Sequence, residues 1–407
     1  MCWAADRGAQ GVRREAYAVR LLAVALGAMA LGGCAWMKEL LEQISTGFGL
    51  WESVDPAQKP SPLPNFAPTA TAAVAWKATV GAAGDRIFFP GVRDAQVYAA
   101  SQKGALARFS AESGAAGWSM DTGQPLSAGV GVGEGLVLVG TAKGDVIAYD
   151  SEGQLKWRVS VKSELLAAPD AADGVVVVRT ADSRLVGLDP ADGKRKWNYQ
   201  RANPPLTVRS AAGVVIYRSA VFAGFAGGKL VALNASNGAI GWEAAVALPK
   251  GTTELERVTD ITSEPVLDDR MVCAVAHQGR LSCFDILRGS LIWARDLSSH
   301  AGMVMDKRRI FVTDDRGAVH ALDKERGASL WKQDKLAARR VSAPQLVGPY
   351  LAVGDLEGYV HFLNAEDGSF AARVATDGSA IGAQPAVLGS NILVQTRSGG
   401  LFALSVK

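Results

Sequence analysis

Apolar and small side chains alternate along this chain in short runs that return about every 40 residues. Each run belongs to the phrase Gly-x-(Leu/Val)-x-small-(Leu/Phe/Tyr)-(Asp/Asn/Ser). Copies begin at Gly104, Gly144, Ser183 (in place of Gly), Gly228, Gly279, Gly317, Gly358 and Gly399. Successive copies lie 40, 39, 45, 51, 38, 41 and 41 residues apart. Alternation over so few residues predicts strands, and this period is that of four-stranded sheets arrayed around an axis.

Most copies carry a second half, in which Asp or Asn is followed by Gly four residues on and Trp four residues later. Asp189–Gly193–Trp197, Asn234–Gly238–Trp242, Asp285–Gly289–Trp293 and Asp323–Gly327–Trp331 show it. The first copy has Ser110–Gly114–Trp118, and the second, one residue tighter, has Asp150–Gly153–Trp157. An Asp or Asn side chain accepts from backbone two residues on, and Gly takes the positive φ of a reversal. The Trp then opens the outer strand, where its ring can pack between sheets. A structural role therefore explains these tryptophans.

The two ends of the array complement each other. The seventh copy has Asn364 and Gly368 but Ala372 in place of Trp, and the eighth stops at Lys407, lacking an outer strand. Trp76–Lys77–Ala78–Thr79–Val80 is an outer strand with no copy before it. Pairing it with the last strand closes a ring of 332 residues and removes the exposed edges. The expected fold is all-β, an eight-bladed β-propeller of four-stranded antiparallel blades over residues 76–407.

Ahead of the ring, Arg7, Arg13, Arg14 and Arg20 precede an apolar run from Leu21 to Leu31, too short to span a bilayer. Residues 1–33 are expected to be a secretory signal peptide. Leu31–Gly32–Gly33–Cys34 resembles the bacterial lipobox, which implies cleavage before Cys34 and lipid attachment there. Ala35 follows, and the absence of Asp implies delivery to the outer membrane. Residues 34–75 read as a tether, because Pro56, Pro60, Pro62, Pro64 and Pro68 forbid a long helix. Either a spacer holding the propeller off the membrane or an unstructured remnant fits this composition.

Removing the leader leaves 39 basic against 38 acidic residues. No basic stripe points to nucleic acid. Cys273 and Cys283 flank the turn at Ala276–His277–Gln278–Gly279 and are equidistant from Gln278. A symmetric hairpin would oppose them at bridging distance, whereas a one-residue shift would leave two buried thiols. Candidate catalysis is scarce. His277 lies in a turn, His300 in a loop, and His320 and His361 at equivalent repeat positions. Most carboxylates are turn residues of the repeat, so no catalytic or metal-ligating set is expected.

The Ala-Leu-Asp…Gly…Trp core resembles the repeats of quinoprotein dehydrogenases, which bind pyrroloquinoline quinone. That resemblance would imply a disulfide between adjacent cysteines stacked on the quinone, and no adjacent cysteines occur here. The architecture is therefore expected without the cofactor.

Lipobox, proline-rich tether and eight repeats together resemble the BamB family of outer-membrane protein assembly lipoproteins, from Cys34 to the end. The similarity is most specific in Ser61–Pro62–Leu63–Pro64 with Trp76, in Gly251–Thr252–Thr253–Glu254–Leu255–Glu256–Arg257–Val258–Thr259–Asp260, and in Gly354–Asp355–Leu356–Glu357–Gly358–Tyr359. It implies a non-enzymatic scaffold on the periplasmic face of the outer membrane. Such a scaffold binds the periplasmic domains of the barrel protein BamA and aids insertion of nascent outer-membrane proteins.

The residues point to the same regions. The two longest steps, 45 and 51, flank the fourth copy and carry insertions, where binding residues concentrate. Leu206, Val208 and Arg209 sit in a proline-stiffened stretch, an aliphatic pair beside Arg. By resemblance they match the family's BamA-docking segment, with Val208 for the usual Leu. Glu256, Arg257 and Asp260 mark the second insertion. Asp260 matches one of two family acidic positions, and Thr262 replaces the other. The alternatives are a quinoprotein-type dehydrogenase or a periplasmic chaperone that captures clients by strand addition at blade edges.

Overall fold

The computed structural model describes residues 59–407, so the expected signal peptide (1–33), Cys34 and most of the tether lie outside the described residues. The described residues form 32 strands and no helix, assembled as eight antiparallel sheets of four. In blade 1 the strands run Gly91–Arg93, Gln96–Ala100, Ala105–Ser110 and Ala116–Asp121, from the inside outwards. Blades 2 to 7 repeat this order. Blade 8 takes Ala386–Leu388, Asn391–Gln395 and Gly400–Val406 from the C-terminus and its outer strand, Ala72–Thr79, from the N-terminus. Trp76 pairs with Ala403, and the inner strands of blades 8 and 1 approach each other, closing the ring.

Each seam between neighbouring blades holds its own apolar core, eight in all. The Asp…Gly…Trp phrase builds these seams. Asp189 Oδ1 accepts from Ala191 N–H at 2.9 Å, and Gly193 turns the chain at φ 72°. The reversal also serves as a seat. The indole of Trp157, in the preceding blade, lies so close to Gly193 that an added Cβ would meet it at 2.7 Å. That indole N–H then donates to Pro190 O at 2.7 Å. The arrangement recurs from Trp76 to Trp331, with indole–carbonyl distances of 2.7–3.1 Å. Each Trp therefore latches onto the next blade's turn.

The seam between blades 7 and 8 has Ala372 where a Trp is expected, and Ala70 and Ala72, at the entry to the first strand, pack there. Upstream, Phe66 packs on the seam between blades 6 and 7, stacking on Phe370 with ring centroids 5.3 Å apart, and Thr69 N–H donates to Ala371 O at 3.0 Å. Arg339 Nη1 donates to Ser61 O and Arg373 Nη2 to Pro64 O, both at 2.8 Å. The expected tether is thus corrected at its end: residues 61–71 are strapped to the propeller, and the blade strand begins at Ala72 rather than Trp76.

Candidate functional site

Antiparallel order puts two kinds of connection on one face of the ring, the central hairpin turns and the links between blades. Both insertions are inter-blade links on this face. One joins the outer strand of blade 3 (Arg195–Gln200) to blade 4, and the other joins the outer strand of blade 4 (Ile240–Ala245) to blade 5.

Asp260 ties them together. Its side chain is 3% exposed, its Oδ2 accepts from Val208 N–H at 2.6 Å, and its Oδ1 accepts from Gly227 N–H at 3.0 Å. Asp260 therefore orients the first insertion and offers no carboxylate to solvent. Thr262 is likewise buried, donating to His300 O at 3.2 Å. Glu256 is exposed but occupied, accepting from Thr252 N–H at 2.8 Å and Thr253 N–H at 3.1 Å. Those contacts hold its carboxyl below the usual range and set a single tight turn. Of the six expected contact residues, Leu206, Arg209 and Arg257 are exposed and Val208 is half-buried.

Arg209 lies over Glu164 from the link between blades 2 and 3, with Nη2–Oε1 at 2.6 Å. Arg86 reaches the same oxygen at 2.8 Å. Burial opposes the Glu164 charge, but the hydrogen bonds and charges of the two arginines outweigh it and lower the pKa. The shared carboxylate thus aims Arg209 while leaving more than half its side chain in solvent. Beside it, Pro204, Pro205, Leu206, Pro249, Glu254 and Arg257 line a depression of about 300 Å³. Leu248 and Leu255, 64% and 71% exposed, add to this surface. Sequence reading missed both leucines, and also Glu164 and Arg86, which lie in different blades from the insertions. Leu248 and Leu255 were findable as aliphatic residues inside the longest repeat step.

The Gly354–Tyr359 motif is structural. Asp355 is fully buried between Arg339 Nε (2.7 Å) and His361 Nε2 (2.9 Å). His320 pairs in the same way with Asp314 in the neighbouring blade, at 2.8 Å. Cys273 and Cys283 oppose each other in register, Cα–Cα 4.0 Å, and are joined as a disulfide. Both are fully buried in the seam between blades 5 and 6, so the bridge presents no face on which a quinone could stack.

Fold and repeat define a class, the eight-bladed propellers built from quinoprotein-like blades. A family model described as outer membrane protein assembly factor BamB matches residues 102–333. The assembly factor BamB of Nitrosomonas eutropha is 45% identical over 82% of this chain and 81% of its own length. The crystal structure of BamB from Moraxella catarrhalis superposes with a TM-score of 0.76 at 26% identity, covering 82% of this chain and 100% of that one. This chain belongs to the BamB family of outer-membrane protein assembly factors. A quinohemoprotein alcohol dehydrogenase from Comamonas testosteroni shares the architecture alone, with a TM-score of 0.67 at 13% identity over 82% of this chain and 76% of that one.

Proposed function

We infer that this chain is a scaffold of the outer-membrane barrel assembly machinery, held by a lipid on Cys34 at the periplasmic face of the outer membrane. Its work is adhesion: it docks the periplasmic domains of a BamA-like barrel protein and so aids insertion of nascent outer-membrane proteins. One observation carries this reading. Two insertions from neighbouring blades, locked by the buried Asp260, present Leu206 and Arg257 around one proline-lined depression, while the exposed Arg209 of the same segment lines the adjoining cavity. Rigid aliphatic and arginine anchors of this kind suit a protein interface. A non-enzymatic role is supported by carboxylates that serve turns and seams, and by a buried disulfide that cannot cradle a quinone.

The test is co-purification with a BamA-like partner from solubilised outer membrane. Leu206→Glu and Arg209→Ala should each abolish it with the thermal melt unchanged. Undiminished capture by both variants would reject the interface.

A second reading, direct capture of unfolded barrel proteins by strand addition, has its own support. Leu155, Ile240 and Leu291 are 57–59% exposed on outer blade edges. Photo-crosslinking from those positions rather than from Leu206 would favour it.

A further inference from the structure

A second cluster of polar side chains stands on the same face, in the loops of blades 5 and 6. His277 stands in the central hairpin turn of blade 5, between Met271–Val275 and Arg280–Asp285. His300 lies in the link from blade 5 to blade 6, and Asp315 in the matching hairpin turn of blade 6. Three separate loops thus bring together two imidazoles and one carboxylate. His277 Nδ1 is 2.9 Å from Asp315 Oδ2, and His300 Nδ1 is 2.7 Å from Asp315 Oδ1. One donor atom from each residue lies within 4.8 Å of the others.

We propose that His277, His300 and Asp315 bind a divalent transition-metal ion of the zinc class at the seam between blades 5 and 6. Two imidazole nitrogens and one carboxylate oxygen are a borderline donor set, suited to zinc, copper or nickel and not to calcium or magnesium. Three protein ligands with an open fourth position are the usual pattern of accessible zinc sites. Here His300 is half exposed, so that position faces solvent.

The contrast with the other histidines sharpens the assignment. His320 and His361 each pair one-to-one with an Asp of their own blade, six residues earlier. Asp315 serves two imidazoles delivered by the other two loops. The frame around it is built. His277 N–H donates to Asp260 O at 2.8 Å, Asp315 N–H to Ser298 O at 3.1 Å, and Ser298 Oγ hydrogen-bonds Asp315 Oδ2. Such outer contacts orient ligands and raise affinity.

Coordination asks for side-chain adjustment within loops already in place. Ligand atoms about 2 Å from a tetrahedral ion sit about 3.3 Å apart, so the two imidazole–carboxylate contacts must open by about half an ångström while the spread of up to 4.8 Å across the donor set closes. Coordination through Nδ1 requires a neutral imidazole with its proton on Nε2, so a histidine that is protonated beforehand gives one proton to solvent as the metal binds.

Zinc chloride titrated into the untagged full chain, against a chromogenic zinc chelator, should show one saturable equivalent. His277→Ala and His300→Ala should each weaken it by about tenfold or more, while His320→Ala leaves it unchanged and excess calcium does not compete. His300 is half exposed, so its variant keeps the test decisive should His277→Ala fail to fold. Absence of saturable binding, or wild-type affinity retained by His300→Ala, overturns the site. Neither result bears on docking, which is read by different residues.

Discussion

At Asp260 two oxygens hold two backbone N–H groups from different segments, one in each neighbourhood the insertions must connect. Replacing it with Ala orphans both donors, each at a cost of about 1–3 kcal/mol. Asp260→Ala should therefore lower the urea midpoint, speed hydrogen exchange across residues 204–210, and weaken partner capture although it contacts no partner. Normal exchange there would contradict the positioning role. Sequence resemblance pointed to this residue, yet burial distinguishes a brace from a contact, and burial depends on chain brought in from other blades.

Asp355 sets a pH dependence. Burial opposes its ionisation, but hydrogen bonds from His361, Tyr359 N–H and Arg339 outweigh this and depress its pKa. A carboxylate depressed on folding adds stability above its unfolded pKa and loses it as pH falls through the folded value. Burial also lowers the pKa of His361 by penalising its charged form, so this group too costs stability as pH falls. Thermal melts between pH 7 and pH 2 should show the gap between wild type and Asp355→Asn shrinking as acid is added. A constant gap would remove Asp355 from the acid response.

Among elements, the tryptophan latch is the unit of cohesion. Trp293 is 9% exposed and donates to Lys324 O at 2.8 Å across the seam. Trp293→Ala should cost about 3–5 kcal/mol in denaturant unfolding. Gly327→Ala should also destabilise, because φ is +68° and the new Cβ would meet the Trp293 ring at 2.5 Å. The sequence already marked that Gly as a turn residue. Its second duty as a seat for the preceding blade's ring was hidden, since periodicity reports order along the chain and not contact between sheets. The cysteine pair was legible to within one residue of register, and the observed register opposes Cys273 to Cys283. Alkylation without reductant should label neither, and mass addition at both would remove the bridge.

For the whole molecule, the repeat and its missing outer strand foretold eight blades and terminal pairing. What they did not foretell was the strap that runs over the seam between blades 6 and 7 to the one that lacks a Trp. Proline and small polar residues gave residues 60–71 the composition of a linker, while Phe66, Arg339 and Arg373 supply the docking from far apart in sequence. Phe66→Ala should cost about 1–2 kcal/mol, less than a fully buried ring. The loss should appear as faster exchange at residues 370–375, and unchanged exchange there would show that the strap does not hold the outer strand of blade 7.

Trp76 finds its partner only once Ala403, near the end of the chain, has been made. A copy cut short during production keeps an unmated edge and a gaping fan of sheets, which periplasmic proteases and aggregation can exploit. Completeness is thereby written into the topology: the ring seals only on a chain that carries both its first strand and its last.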